Sequence, residues 1–218
     1  MDPHAYARQV VRTLREHLLP GSLLGAWLIG SIAWDDYRPG SSDVDILAVA
    51  ETQPEPVRRA LADALIALPC PARQLEFVLY PPGPDQPSRW QLNVNTDPVR
   101  VSTDPATEPA HWFVLDIAMA RERAIPLYGP PAHELLAPVP PEVVHRALND
   151  SLDWHDANER TQPNAVLNAC RAWHYAETGR WASKTAAALW ARERVADPSK
   201  IDAALARRSG VENPKLSG

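Results

Sequence analysis

Cysteine is close to missing. Only Cys70 and Cys170 occur, far apart and without a CxxC pair, so neither a disulfide framework nor a thiolate zinc site is expected. Basic charge is in deficit, with 22 Lys and Arg against 27 Asp and Glu and a formal charge of -5. That balance disfavours a large electrostatic footprint on DNA or RNA, so no nucleic-acid partner is expected and a cationic one fits better. No apolar run is long enough to span a bilayer. The opening MDPHAYARQVVRTLREH scatters its charges and lacks the basic start and apolar core of a secretory signal. These absences predict a soluble, cytoplasmic chain with no membrane partner, and a monomer is expected. Internal repeats and low-complexity tracts are also missing. What remains, 45% hydrophobic content over 218 residues, is enough for one large domain or two small ones packed together.

Hydrophobic periodicity sorts the chain into two halves. Tyr6, Val10, Val11, Leu14 and Leu18 recur at helical spacing, and Pro20-Gly21 closes the run. LLGAWLI, residues 23–29, predicts a buried strand turning sharply at Gly30-Ser31; VDILAV, 44–49, predicts a second strand. Pro56 opens a helix whose Val57, Leu61, Leu65 and Leu68 share a face, and QLEFVLY, 74–80, predicts a third strand. Pro81, Pro82, Pro84 and Pro87 then mark a break. Beyond it strand signals fade, and helices are predicted over 111–125, 141–154, 164–178 and 183–195. The expected fold class is α/β (α+β). A small mixed sheet occupies residues 1–105 and a helical bundle residues 106–218, joined through the proline-rich stretch 81–105.

The chemistry concentrates in GSIAWDDYRPGSSDVDILAV. Side chains alternate across a strand, so Asp43 and Asp45 project from one face with Cα atoms roughly 6 to 7 Å apart. Two carboxylates so close repel, and one would protonate unless a cation intervenes. Magnesium, which favours carboxylates together with phosphate oxygens and water, resolves the conflict and points to a nucleoside triphosphate, with ATP as co-substrate. Gly30 lets the backbone approach a phosphate without a Cβ, and Ser31 offers its amide and hydroxyl. Glu76, flanked by Leu75 and Phe77, is a candidate general base for an attacking hydroxyl; its alternative is an edge-strand residue facing water.

These residues resemble the nucleotidyltransferase superfamily of DNA polymerase β type, whose hallmark is Gly-Ser followed by Asp-x-Asp. The loop between them is about one residue longer here than in the usual form. A longer resemblance, through LEFVLY, HWFVLDIAMARE, LYGPPAHELLAPVP, LNDSLDW, NAVLNACRAWHYAETG and SKTAAALWARE, is to the aminoglycoside (3'')(9) adenylyltransferases. It implies an N-terminal nucleotidyltransferase domain followed by a helical domain that contacts substrate and ATP. It also implies transfer of AMP to a hydroxyl of streptomycin or spectinomycin, a cationic aminocyclitol antibiotic. Asp43 and Asp45 then correspond to metal ligands, Glu76 to the base, and Arg171 and Lys184 to ATP contacts, the alternative for the last two being ordinary solvated helix surface. Trp154, with Asp153, Asp156 and Glu159 around it, falls where the family holds the drug, and an aromatic face among carboxylates suits a polycation; alternatively Trp154 packs the helix end. The resemblance lapses after ARRSG, where the family's final helices are expected to be reduced and a phosphate-contacting tyrosine has only Arg207 and Arg208 in its neighbourhood. Two rival readings keep part of the chemistry: transfer to another small hydroxylated acceptor, or nucleotide binding without turnover.

Overall fold

The computed structural model describes residues 2–83 and 86–210. Pro84 and the stretch 211–218, which includes the end of the expected second domain, lie outside the described residues. Contacts divide the chain into two compact units, Met1–Pro140 and Pro141–Gly218.

The first unit is built on a six-stranded sheet of order β5-β4-β3-β2-β1-β6. Its strands are β1 (Leu23–Leu28), β2 (Val44–Ala50), β3 (Leu75–Tyr80), β4 (Leu92–Thr96), β5 (Val99–Ser102) and β6 (Ile125–Tyr128). Helices α1 (Pro3–His17), α2 (Gly30–Ala33), α3 (Glu55–Ile66), α4 (Ala110–Glu122) and α5 (Ala132–Leu135) complete it. Among the described residues only β2 and β3 run parallel, because α3 carries the chain back to the starting edge between them. Alternation along the strands divides the core in two. Ile46, Ala48, Phe77 and Leu79 pack with Tyr6, Val10 and Leu14 of α1 and Leu61 and Leu65 of α3. Leu47, Val49 and Tyr80 pack on the other face with Trp27, Trp90, and Phe113 and Ile117 of α4. Both faces are therefore covered, and a polar side chain on β2 or β3 needs a reason to be there.

Three strands lie where none was expected. Leu92 and Val94 alternate with Asn93 and Asn95, and all four are buried, so β4 is an inner strand with two polar residues on one face. β5 completes a hairpin with it, and β6 pairs with β1 through Pro126 and Ile125. Pro126 can sit in β6 because that strand is an edge. The helix expected over 111–125 ends at Glu122, where Arg123 turns extended and its N–H still bonds to Met119 O. Since β6 and α4 belong to the first sheet and core, the division between units falls at Pro140 and not near residue 105.

The second unit comprises α6 (Pro141–Asn158), α7 (Pro163–Thr178), α8 (Lys184–Arg192) and α9 (Ser199–Arg208). α7 is its hub: Leu167 and Cys170 pack with Ala187, Ala188 and Ala191 of α8 and with Ile201 and Ala204 of α9. Alanine at so many contact positions lets the helix backbones come close. Trp173 and Trp190 meet edge to face at 5.0 Å beside this core. α7 ends at Gly179 in the left-handed conformation, its N–H capping Tyr175 O.

Phe77 sits beside Glu76, fully buried between α1 and α3. Phe77→Ala is expected to lower unfolding free energy by about 3–5 kcal/mol in urea titrations.

Candidate active site

The end of β1 meets the beginnings of β2 and β3. Asp45 and Glu76 are direct partners in the parallel pair, and Asp43 lies just ahead of β2. Carboxylate oxygens of Asp43, Asp45 and Glu76 fall within 4.8 Å of one another, and all three side chains are half-buried. The expectation that Asp43 and Asp45 share a face is met. β3 lies between β2 and β4, so the edge-strand alternative for Glu76 does not hold. Gln74 Nε2 donates to Glu76 Oε1 at 2.8 Å, while Gln74 Oε1 accepts from Asp97 N at 3.3 Å. The carboxylate is thus fixed through a side chain tied to the β4–β5 turn.

Gly30 has a task besides the one expected. It adopts φ +58, and a Cβ built there would overlap Oδ2 of Asp45. The missing side chain makes room for the carboxylate itself, which settles against the turn while Ile29 N donates to Asp45 O at 3.0 Å. The turn continues as α2 and not as an open loop. Ser31 follows, its Oγ buried and without a hydrogen-bond partner among the described residues. A buried hydroxyl left unmatched costs free energy, so it is a donor waiting for an acceptor. The polar loop from Asp35 to Ser42 is held at both ends: Arg38 N donates to Ser42 Oγ at 2.9 Å, and Arg123 pairs with Asp35 while lying 5.5 Å over the Trp34 ring.

Two residues join this site that the sequence reading passed over. Asn95, buried at 8% exposure, is the cross-strand partner of Glu76 and points to the same face. Arg73 forks onto Asp43, Nε to Oδ1 at 2.8 Å and Nη2 to Oδ2 at 2.5 Å. Its guanidinium is pushed further up by that hydrogen bond, with the charges of Asp43, Glu76 and Asp45 adding to it against the cost of burial. The available signals were the alternation of Leu92 and Val94, and an Arg three positions before the strand glutamate.

The expected residues of the second unit fall into two groups. Arg171 and Lys184 are half-buried and anchored, which does not match an ordinary solvated surface. Arg171 Nη2 donates to Asn168 Oδ1 at 3.0 Å, and Lys184 Nζ donates to Asn164 Oδ1 at 2.6 Å. Asn168 Nδ2 then faces Nε2 of buried His155 at 2.7 Å, and His155 Nδ1 meets Glu159 Oε2 at 3.0 Å. With its amide oxygen turned to Arg171, Asn168 must donate to Nε2, so the proton of the neutral ring sits on Nδ1 and goes to Glu159. Asp156 belongs elsewhere. It is exposed and forked to Arg160 at 2.9 and 2.6 Å, which holds its carboxyl below the usual range. Trp154 and Asp156 lie two residues apart on α6, so their side chains leave the helix in different directions.

These contacts generate two expectations. Gly30→Ala forces a left-handed alanine and displaces Asp45; the melting temperature should fall by roughly 2–8 °C in a calorimetric scan. Burial pushes the His155 imidazole down, outweighing the upward pull of Glu159, with Lys184 and Arg171 adding to the downward shift. The unfolded chain therefore takes up the proton first. The stabilising contribution is complete above the ring's ordinary value of about 6.5 and is lost as pH falls below it. In urea titrations at about pH 7.5 and about pH 5.5, His155→Gln should show a smaller acid loss of stability than the parent chain.

Comparison with known proteins places this geometry in a family. Residues 134–218 match the family model described as aminoglycoside adenylyltransferase, C-terminal domain. The chain is 32% identical over 212 residues to an aminoglycoside (3'')(9) adenylyltransferase of Klebsiella pneumoniae, covering 86% of this chain and 77% of the relative. It is 29% identical over 203 residues to the spectinomycin 9-adenylyltransferase of Staphylococcus aureus, covering 84% and 76%. A spectinomycin adenyltransferase of Enterococcus faecialis, crystallised with ATP and spectinomycin, shares the fold at a TM-score of 0.78 and 20% identity, over 98% of this chain and 92% of that one. At this identity and coverage, the chain belongs to the aminoglycoside (3'')(9) adenylyltransferase family and is a nucleotidyltransferase.

Proposed function

We propose that the chain transfers AMP from ATP to a hydroxyl of streptomycin, spectinomycin or both, in a magnesium-dependent reaction that inactivates the drug. The observation that carries this reading is the convergence of Asp43, Asp45 and Glu76 within 4.8 Å at the end of a covered sheet. Family membership supports ATP as the donor. The donor set suits magnesium, a hard cation that takes carboxylate oxygens, and Arg73 already seats positive charge on Asp43. Asp43 and Asp45 are the proposed ligands; bound there, a divalent ion would supply charge neutralisation at the reacting phosphate.

The residues of the chain do the rest. Ser31 donates its buried hydroxyl to a phosphate oxygen, with Gly30 keeping the turn close. Arg171 and Lys184, each held by an asparagine, supply cations for the triphosphate. Glu76, oriented by Gln74, takes the proton as the acceptor oxygen bonds to the α-phosphorus, and the bond to pyrophosphate breaks. Trp154 and Glu159 are the proposed contacts for the cationic drug. Asp156, engaged by Arg160, joins them only if that exposed pair opens.

The separation of Asp156 from Trp154 favours a second reading, in which the acceptor is another small hydroxylated molecule. Incubation with ATP, magnesium and each drug should give the AMP adduct by mass spectrometry. An adduct with neither drug, together with pyrophosphate release on another acceptor, would transfer the assignment to that acceptor. Glu76→Gln should lower kcat by about 10²–10⁴-fold while calorimetric ATP affinity stays close to the parent value. Unchanged ATP binding with no turnover in the parent chain would leave a nucleotide-binding protein without catalysis.

A further inference from the structure

The carboxylate that the proposed function assigns to the metal is already occupied by a cation of the protein's own. Both oxygens of Asp43 accept from Arg73, Nε at 2.8 Å and Nη2 at 2.5 Å. The backbone pins the pair at its base: Arg73 N donates to Ser42 O at 3.2 Å, and Val44 N donates to Gln74 O at 2.9 Å, so the β2–β3 ladder carries Arg73 to the aspartate. The two ends differ in freedom. Asp43 is 14% exposed, whereas Arg73 is 53% exposed, leaving its guanidinium an open path to water. A metal ligating Asp43 and the fork compete for the same lone pairs.

We propose that Arg73 is a built-in competitor at the cation site, neutralising Asp43 while no nucleotide is bound, so that divalent ions bind weakly alone and strongly together with the triphosphate. The inference rests on the proposed metal role of Asp43. Without Arg73, three carboxylates face one another with one positive charge fewer, and they attract a free divalent ion more strongly. With nucleotide present, phosphate oxygens add ligands and repay the cost of opening the fork. Arg73 acts as a positioning residue: it holds Asp43 in the orientation the metal will use and leaves when that orientation is taken up.

Manganese binding to the intact chain without nucleotide, followed by electron paramagnetic resonance of the free ion, tests this directly. Arg73→Gln should tighten manganese binding by about 3–10-fold, and Arg73→Lys, which keeps the charge but loses the fork, should fall between it and the parent chain. In the Asp43→Asn background Arg73→Gln should bring no gain, because the competition runs through that carboxylate. With ATP present the difference between parent and Arg73→Gln should shrink. A residue that merely supports the fold would lower the melting temperature without tightening manganese binding, and equal or weaker binding by a folded Arg73→Gln overturns the proposal. The two readings fail separately: manganese tightening without any AMP adduct refutes the function and keeps the competitor, whereas adduct formation with unchanged manganese affinity does the reverse.

Discussion

Mutual repulsion among Asp43, Asp45 and Glu76 is the constraint around which the first unit is arranged. Three half-buried acids within 4.8 Å are unfavourable in a sheet with both faces covered, and each neighbour relieves part of that cost. Arg73 places a guanidinium on one carboxylate, Gln74 donates to another, and Gly30 gives the third a place to sit. None of these contacts would be needed if the acids were alanines. Their presence together is what the proposed cation and phosphate site rests on.

The second unit joins its charged side chains through neutral ones. Its inner polar residues form a relay, from Glu159 through His155 and Asn168 to Arg171, with Asn164 linking Glu159 to Lys184. Each donor meets an acceptor, so the buried imidazole stays neutral and the asparagine amide has one workable orientation. The relay gives two cationic side chains fixed starting points, although Arg and Lys are the side chains with most conformational freedom to lose. Its helices need little bulk to hold it, because alanines bring α7, α8 and α9 close.

Much of this was legible in the sequence where one signal dominated. The amphipathic spacing from Tyr6 to Leu18 became α1, the apolar runs became β1, β2 and β3, and the Ser-Asp-Val-Asp entry to β2 delivered both aspartates to one face. The prolines misled. Pro81, Pro82, Pro84 and Pro87 predict a break, yet β4 and β5 follow them directly, and their five and four residues are too short to stand out among turn-forming neighbours. The helix expected over 111–125 takes in only Ile125 of β6, and the remaining Pro126 to Tyr128 are too few to stand out as a strand before they pair with β1. α9 was not singled out either. Within the site, carboxylates could be anticipated because their spacing has chemical meaning, whereas Arg73 and Asn95 enter through strand register, which is a property of the assembled sheet.

The bond from Ile29 N to Asp45 O means that Gly30 and Asp45 are brought together by antiparallel pairing of β1 with β2, and not by the fourteen residues between them. Closing a surface excursion of that size costs only slightly more free energy for each added residue. The spacing between the Gly-Ser turn and the paired aspartates is accordingly loosely constrained, and insertions there can accumulate across evolutionary time without moving a single oxygen of the carboxylate cluster.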